Sequence, residues 1–172
     1  MTGQAVRIPG RLRLHCLLAG DVAAQLVVLL HALGERASDW TYLIDRLSAH
    51  YRVVAPDLRG HGDSESFARE SVARERPPGP LPFDWPVVTA IAGEVNDPTH
   101  RWWPGLSTIT ASTLIVGGGP TSHIPQERLR EAAELVPDCT LVTIPVGHCV
   151  HANRPEEFAD LVLDWLAGNN SP

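Results

Sequence analysis

At 172 residues, 44% of them hydrophobic, the chain carries enough apolar mass for one compact domain. A formal net charge of −6, with scattered Lys and Arg, gives no basic footprint for nucleic-acid phosphates or an anionic membrane surface. Three cysteines without C-x-x-C spacing, Cys16, Cys139 and Cys149, suggest neither a disulfide framework nor a metal site.

The first strand-like segment is Val6 to Ile8, followed by a Pro9-Gly10 turn and by Arg11 to Leu18, in which Leu12, Leu14 and Cys16 alternate; this predicts an edge hairpin. Leu26 to Leu30, LVVLL, is an unbroken apolar run and predicts a strand buried on both faces, as in a parallel sheet. Asp39 can cap a helix from Trp40 to about Ala49, because Trp40, Leu43, Ile44 and Leu47 recur at helical spacing. Arg52 to Ala55 is a short second buried strand closed by Pro56. Between Asp63 and Thr113 the rhythm fails. A charged stretch from Glu65 to Arg76 and the prolines Pro77, Pro78, Pro80, Pro82 and Pro86 precede one apolar run, Val87 to Val95, read as helical. Alternation then resumes: strand Thr113 to Val116, glycines 117 to 119, helix Gln126 to Leu135, strand Cys139 to Ile144, and helix Pro155 to Leu166 with Pro in its first turn. Strands and helices alternating at this spacing predict an α/β fold with a mostly parallel sheet and helices on both faces. No apolar run approaches the ~18 residues of a membrane span, and residues 1 to 13 hold no signal-like apolar core, so a cytoplasmic protein is expected.

Three loops follow strands and carry chemistry-bearing residues: His31-Ala32-Leu33-Gly34, Asp57-Leu58-Arg59-Gly60-His61-Gly62-Asp63-Ser64, and Gly147-His148 with His151 and Pro155 beyond. In order and spacing they resemble the α/β-hydrolase family over roughly residues 5 to 64 and 80 to 168. That resemblance implies roles. The backbone N–H of Leu33 would be an oxyanion-hole donor, although Ala32 stands where the family has Gly. His148 would be the catalytic general base. Asp57, His61, Asp63 and Ser64 would be scaffolding of a tight turn, and His151 a packing or capping group. Neither cofactor nor metal is implied.

The family's nucleophile, Ser or Asp in G-x-[SD]-x-G on a strand-to-helix elbow, has no counterpart in this sequence. Ser38, Ser48, Ser66, Ser71, Ser107, Ser112, Ser122 and Ser171 lack flanking glycines and a preceding buried strand. The interval that should hold the elbow is too short for the ~30 residues of a strand-helix-strand unit. The acid is missing as well: Gly118-Gly119-Pro120-Thr121-Ser122-His123 occupies the stretch where an Asp is expected. Nucleophile and acid are therefore unassigned. Glycines 117 to 119 match no phosphate-binding pattern and read as a strand-end turn.

The resulting expectation is one domain over residues 1–172: an N-terminal half of the sheet (5–64), a charged and Pro-rich connector with a helix (65–112), and a C-terminal half (113–168). It would be a truncated α/β-hydrolase fold with an N-terminal edge hairpin. With the elbow block missing, Leu26 to Leu30 and Thr113 to Val116 are expected to pair directly. The implied function is hydrolysis of esters, epoxides or C–C bonds with a histidine base, impaired by the lost nucleophile. The alternatives are water activation by His148 alone, a non-catalytic small-molecule-binding protein with Trp85, Trp102 and Trp103 as an apolar lid, or a deletion remnant. The implied partners are a small apolar or ester-like substrate and, through exposed apolar area, further copies of the chain.

Overall fold

The computed structural model describes residues 2–7, 13–65 and 102–169. The expected helix at Val87 to Val95, the Pro-rich stretch, Trp85 and the Pro9-Gly10 turn lie outside them. The chain forms two compact units, Met1–Asp97 and Pro98–Pro172.

In the first unit, β1 (Thr2–Arg7) and β2 (Arg13–Ala19) pair antiparallel from Thr2↔Leu18 to Arg7↔Arg13, so the hairpin forms with a longer first strand than the alternation marks. β3 (Leu26–Val28) leads through a 3-10 turn, Ala37–Trp40, into α1 (Thr41–Leu47) and on to β4 (Arg52–Pro56). β3 and β4 are parallel, while β2 and β4 are antiparallel, giving the order β1-β2-β4-β3. Asp39 does not cap α1 directly. It sits in the 3-10 turn, where its carboxylate accepts the Arg36 N–H at 2.9 Å. α1 buries Leu43, Ile44 and Leu47 against the sheet, where Val53 and Ala55 are fully enclosed. Full burial of an aliphatic side chain of this size contributes ~1.5–3 kcal/mol, so these residues carry the unit's stability.

Leu26 to Leu30 departs from expectation. Only Leu26–Val28 is strand, and Leu26, Val28 and Leu30 are 52%, 51% and 60% exposed. The side chains of Leu26, Val28 and Leu30 fall on one face of the segment, while the hydrogen bonds Arg52 N–H to Gln25 and Leu29 N–H to Val54 fasten its backbone to β4.

In the second unit, α2 (Trp102–Gly105) precedes β5 (Thr113–Gly117), α3 (Gln126–Leu135) and β6 (Cys139–Thr143). β5 and β6 are parallel, in register from Thr113↔Cys139 to Gly117↔Thr143, with α3 as the crossover helix. α4 (Val150–Asn153) and α5 (Pro155–Asn169) complete it, Pro155 opening α5 where its missing N–H costs nothing. Thr113 to Val116 is half-buried rather than enclosed on two faces. Among the described residues, β3 pairs only with β4 and β5 only with β6, in two sheets. The expected pairing of Leu26–Leu30 with Thr113–Val116 would join the two units and is not among the pairings within them. An apolar run signals a need for neighbours; it does not supply them.

Candidate active site

The turn after β4 is organised by one carboxylate. Asp57 is buried, and its two oxygens accept the Ala37 N–H at 2.7 Å, the Asp63 N–H at 3.0 Å and the His15 ring at 2.9 Å through Nδ1. Burial pushes the Asp57 carboxyl up, but the Ala37 and Asp63 amides and the His15 ring together hold it below the ordinary aspartate value. Burial, and then the nearby Asp57 charge, push the Cys16 thiol up. Ser64 is committed too: its hydroxyl donates to the Asp57 carbonyl at 2.6 Å and accepts the His15 N–H at 2.8 Å. His15, Asp57 and Asp63 bring three ligand-type atoms within 4.8 Å of one another. The hydrogen bonds already account for the Asp57 oxygens, and the cluster reads as a fastening of β2, the turn and residue 37.

The loop after β3 is tied to that turn. His31, 4% exposed, accepts the Leu58 N–H at Nε2 (2.9 Å), so Nδ1 carries the proton and donates to the Ala32 carbonyl (2.9 Å). Its ring meets the buried His61 edge-on at 4.9 Å between centroids. The Ala32 N–H is taken by the Glu35 carboxylate at 3.0 Å, while the Leu33 N–H has no hydrogen-bond partner among the described residues. The left-handed turn falls on Gly34, φ +89°, and among the described residues no non-glycine has positive φ. Ala in place of Gly at position 32 is thus accommodated, because the strained conformation lies two residues on.

In the second unit the loops after β5 and β6 are fastened through their backbones: Ile144 N–H donates to Gly117 and Gly147 N–H to Gly118, each at 2.9 Å. This approach requires glycine. A Cβ on Gly118 would lie 2.0 Å from the Gly147 carbonyl oxygen, and Gly147 itself has φ +89°. The consequence is the placement of His148. Its ring is exposed and lies 3.9 Å, centroid to centroid, from that of His123, which comes from the loop after β5. Among the described residues no carboxylate bonds to His148. His151 turns away, meeting Phe158 of α5 edge-on at 6.3 Å. The exposed guanidinium of Arg128 lies 5.8 Å from the Trp103 ring, a contact within this unit. A surface cleft of about 620 Å³ beside the start of α5, lined by Asn153 to Glu157 and Asp160, contains none of the sequence-predicted site residues.

The described serines do not supply a nucleophile at an elbow. Ser48 and Ser107 donate to Asp45 and Pro104 carbonyls, Ser112 to the Asp138 carboxylate, and Ser122 accepts the Ile124 N–H. Ser66, Ser71 and Ser171 lie outside the described residues. Sequence reasoning gave His123 no role, and its only signal there was its position after a glycine-rich strand end.

A family model described as "Alpha/beta hydrolase family" matches residues 27–99, the stretch that carries the His31 loop and the Asp57 turn. The esterase and epoxide hydrolase relatives and the solved structures given below agree with it. The chain belongs to the α/β-hydrolase family. A pimeloyl-[acyl-carrier protein] methyl ester esterase of Sodalis glossinidius is 32% identical over 122 residues, 66% of this α/β-hydrolase chain and 48% of that protein. An epoxide hydrolase 3 of Xenopus tropicalis is 41% identical over 58 residues, 34% of this chain and 16% of its own. The chain thus spans about half or less of the length of these relatives. In fold it is similar to a thermophilic esterase of Thermogutta terrifontis, with TM-score 0.73 and 17% identity over 99% of this chain and 100% of that one. A hydrolase of Thermoplasma acidophilum gives 0.70 and 18% over 96% and 97%. The α/β fold class is that of the family; among the described residues no helix is long and apolar enough to cross a membrane.

Proposed function

We propose that this chain is a hydrolase-type protein for a small apolar or ester-like substrate, in which His148 holds the general-base position and the Leu33 N–H that of oxyanion donor, with turnover impaired for want of a nucleophile. The observation that carries the reading is the placement of His148. A left-handed glycine and a backbone clamp to the preceding loop present an imidazole that no hydrogen bond consumes among the described residues. A ring held in this way can take a proton from water or from a bound hydroxyl. The activities named for the relatives, on a methyl ester and on epoxides, mark the substrate class to try first.

Loss of a triad nucleophile leaves ~10³–10⁴-fold acceleration over water, so p-nitrophenyl esters should turn over slowly and without a burst. That much comes from the oxyanion hole and binding; the part His148 adds by activating water is what His148→Ala should remove. Fast turnover with a stoichiometric burst would contradict impairment and reveal a working nucleophile. A residual rate unchanged in His148→Ala would contradict the role of His148 and favour the non-catalytic binding alternative.

A further inference from the structure

We propose that His31 is an acid-sensitive latch: its neutral imidazole, accepting the Leu58 N–H, fastens the loop after β3 to the turn after β4, and proton uptake at Nε2 releases it. The geometry fixes the protonation state. A backbone amide can only donate, so Nε2 must be the unprotonated nitrogen, and Nδ1–H is spent on the Ala32 carbonyl. A proton added to Nε2 sets one N–H against another in a nearly solvent-free position, since His31 is 4% exposed. The bond is then lost rather than weakened, because no rotation of the ring presents another acceptor: a cationic imidazole has none.

The charged and titratable groups around the latch come from three elements. Asp57, Arg59 and His61 belong to the turn, Glu35 to the loop itself, and His15 of β2 lies beyond Asp57. The Asp57 carboxylate keeps its own bonds to Ala37 and Asp63, so the far end of the loop stays fastened at residue 37 while residues 31 to 34 are freed. The segment released is the one that carries the Leu33 N–H. This device stands whether or not the chain turns over a substrate.

Amide hydrogen exchange of the full chain tests it, read residue by residue as the pH is lowered from about 8 to 5. Corrected for intrinsic exchange, Leu58 should lose about tenfold in protection as its bond is lost. Leu29, whose N–H bonds Val54 in the sheet, and Ala37, on Asp57, should hold theirs. His31→Gln retains an acceptor near the Nε2 position but does not titrate, so Leu58 should stay protected throughout. His61→Gln should leave the wild-type pH response intact. A wild-type Leu58 amide that keeps its protection to pH 5 overturns the proposal, as does an undiminished response in His31→Gln or its loss in His61→Gln. Should His31→Gln not fold, the wild-type imidazole ¹⁵N signals decide: Nε2 of His31 must gain its proton in step with Leu58 release, and any other order overturns the latch.

Discussion

The Asp57 turn of the first unit and the His148 loop of the second both carry family motifs, yet they spend their polar groups differently. Around Asp57 the side chains are consumed: the carboxylate takes three donors, Ser64 bridges Asp57 and His15, and His31 uses both ring nitrogens. Around His148 the backbone is consumed and, among the described residues, the side chain is not. Glycine-to-glycine contacts hold the loop, and the imidazole is left exposed against His123. Satisfied side chains define a scaffold, whereas an exposed imidazole on a fixed backbone remains available for chemistry.

The largest expected effect is at Asp57. Asp57→Ala strands the buried Ala37 and Asp63 amides and the His15 ring, which should cost about 3 kcal/mol or more in unfolding free energy by urea titration. A loss below about 1 kcal/mol would mean that the turn is held by its glycines instead. Next is Gly118→Ala, whose Cβ meets backbone rather than a movable side chain. Displacing the Gly147 loop should cost about 2 kcal/mol and show as lost amide protection at Ile144 and Gly147.

A smaller effect follows from acid. Because the Asp57 carboxyl lies below its ordinary value in the fold, its contribution is present above the unfolded-state value and is lost as pH falls through the folded one. Stability should fall on acidification below the ordinary aspartate range, and Asp57→Asn should flatten that part of the profile. An unchanged profile in Asp57→Asn would place the acid sensitivity elsewhere.

The sequence was most legible where a signal is local. Cys139 to Ile144, Thr113 to Val116 and the helices at 126 and 155 lie where apolar spacing, Gly and Pro put them, because those residues constrain their own backbone. The motif loops were legible as loops for the same reason. What failed was what neighbours decide. LVVLL reads as enclosed, but enclosure belongs to the strands and helices on either side, and among the described residues of its unit β3 has a ladder partner in β4 alone. The His123–His148 contact was equally hidden, since it joins residues 25 apart that meet only once β5 and β6 pair in parallel. Asp57 as scaffold was readable from the glycines around it; that it holds His15 of β2 was not, because a hydrogen bond across 42 residues leaves no pattern in the chain.

The measurement that bears most directly on the division between scaffold and available group is urea unfolding of His148→Ala beside Asp57→Ala, followed by near-ultraviolet and amide signals of both units. His148→Ala should stay within about 0.5 kcal/mol of the wild type, as for an exposed side chain that supports nothing, while Asp57→Ala loses several-fold more. Equal losses, or a larger loss in His148→Ala, would show that His148 is part of the scaffold and would contradict the account.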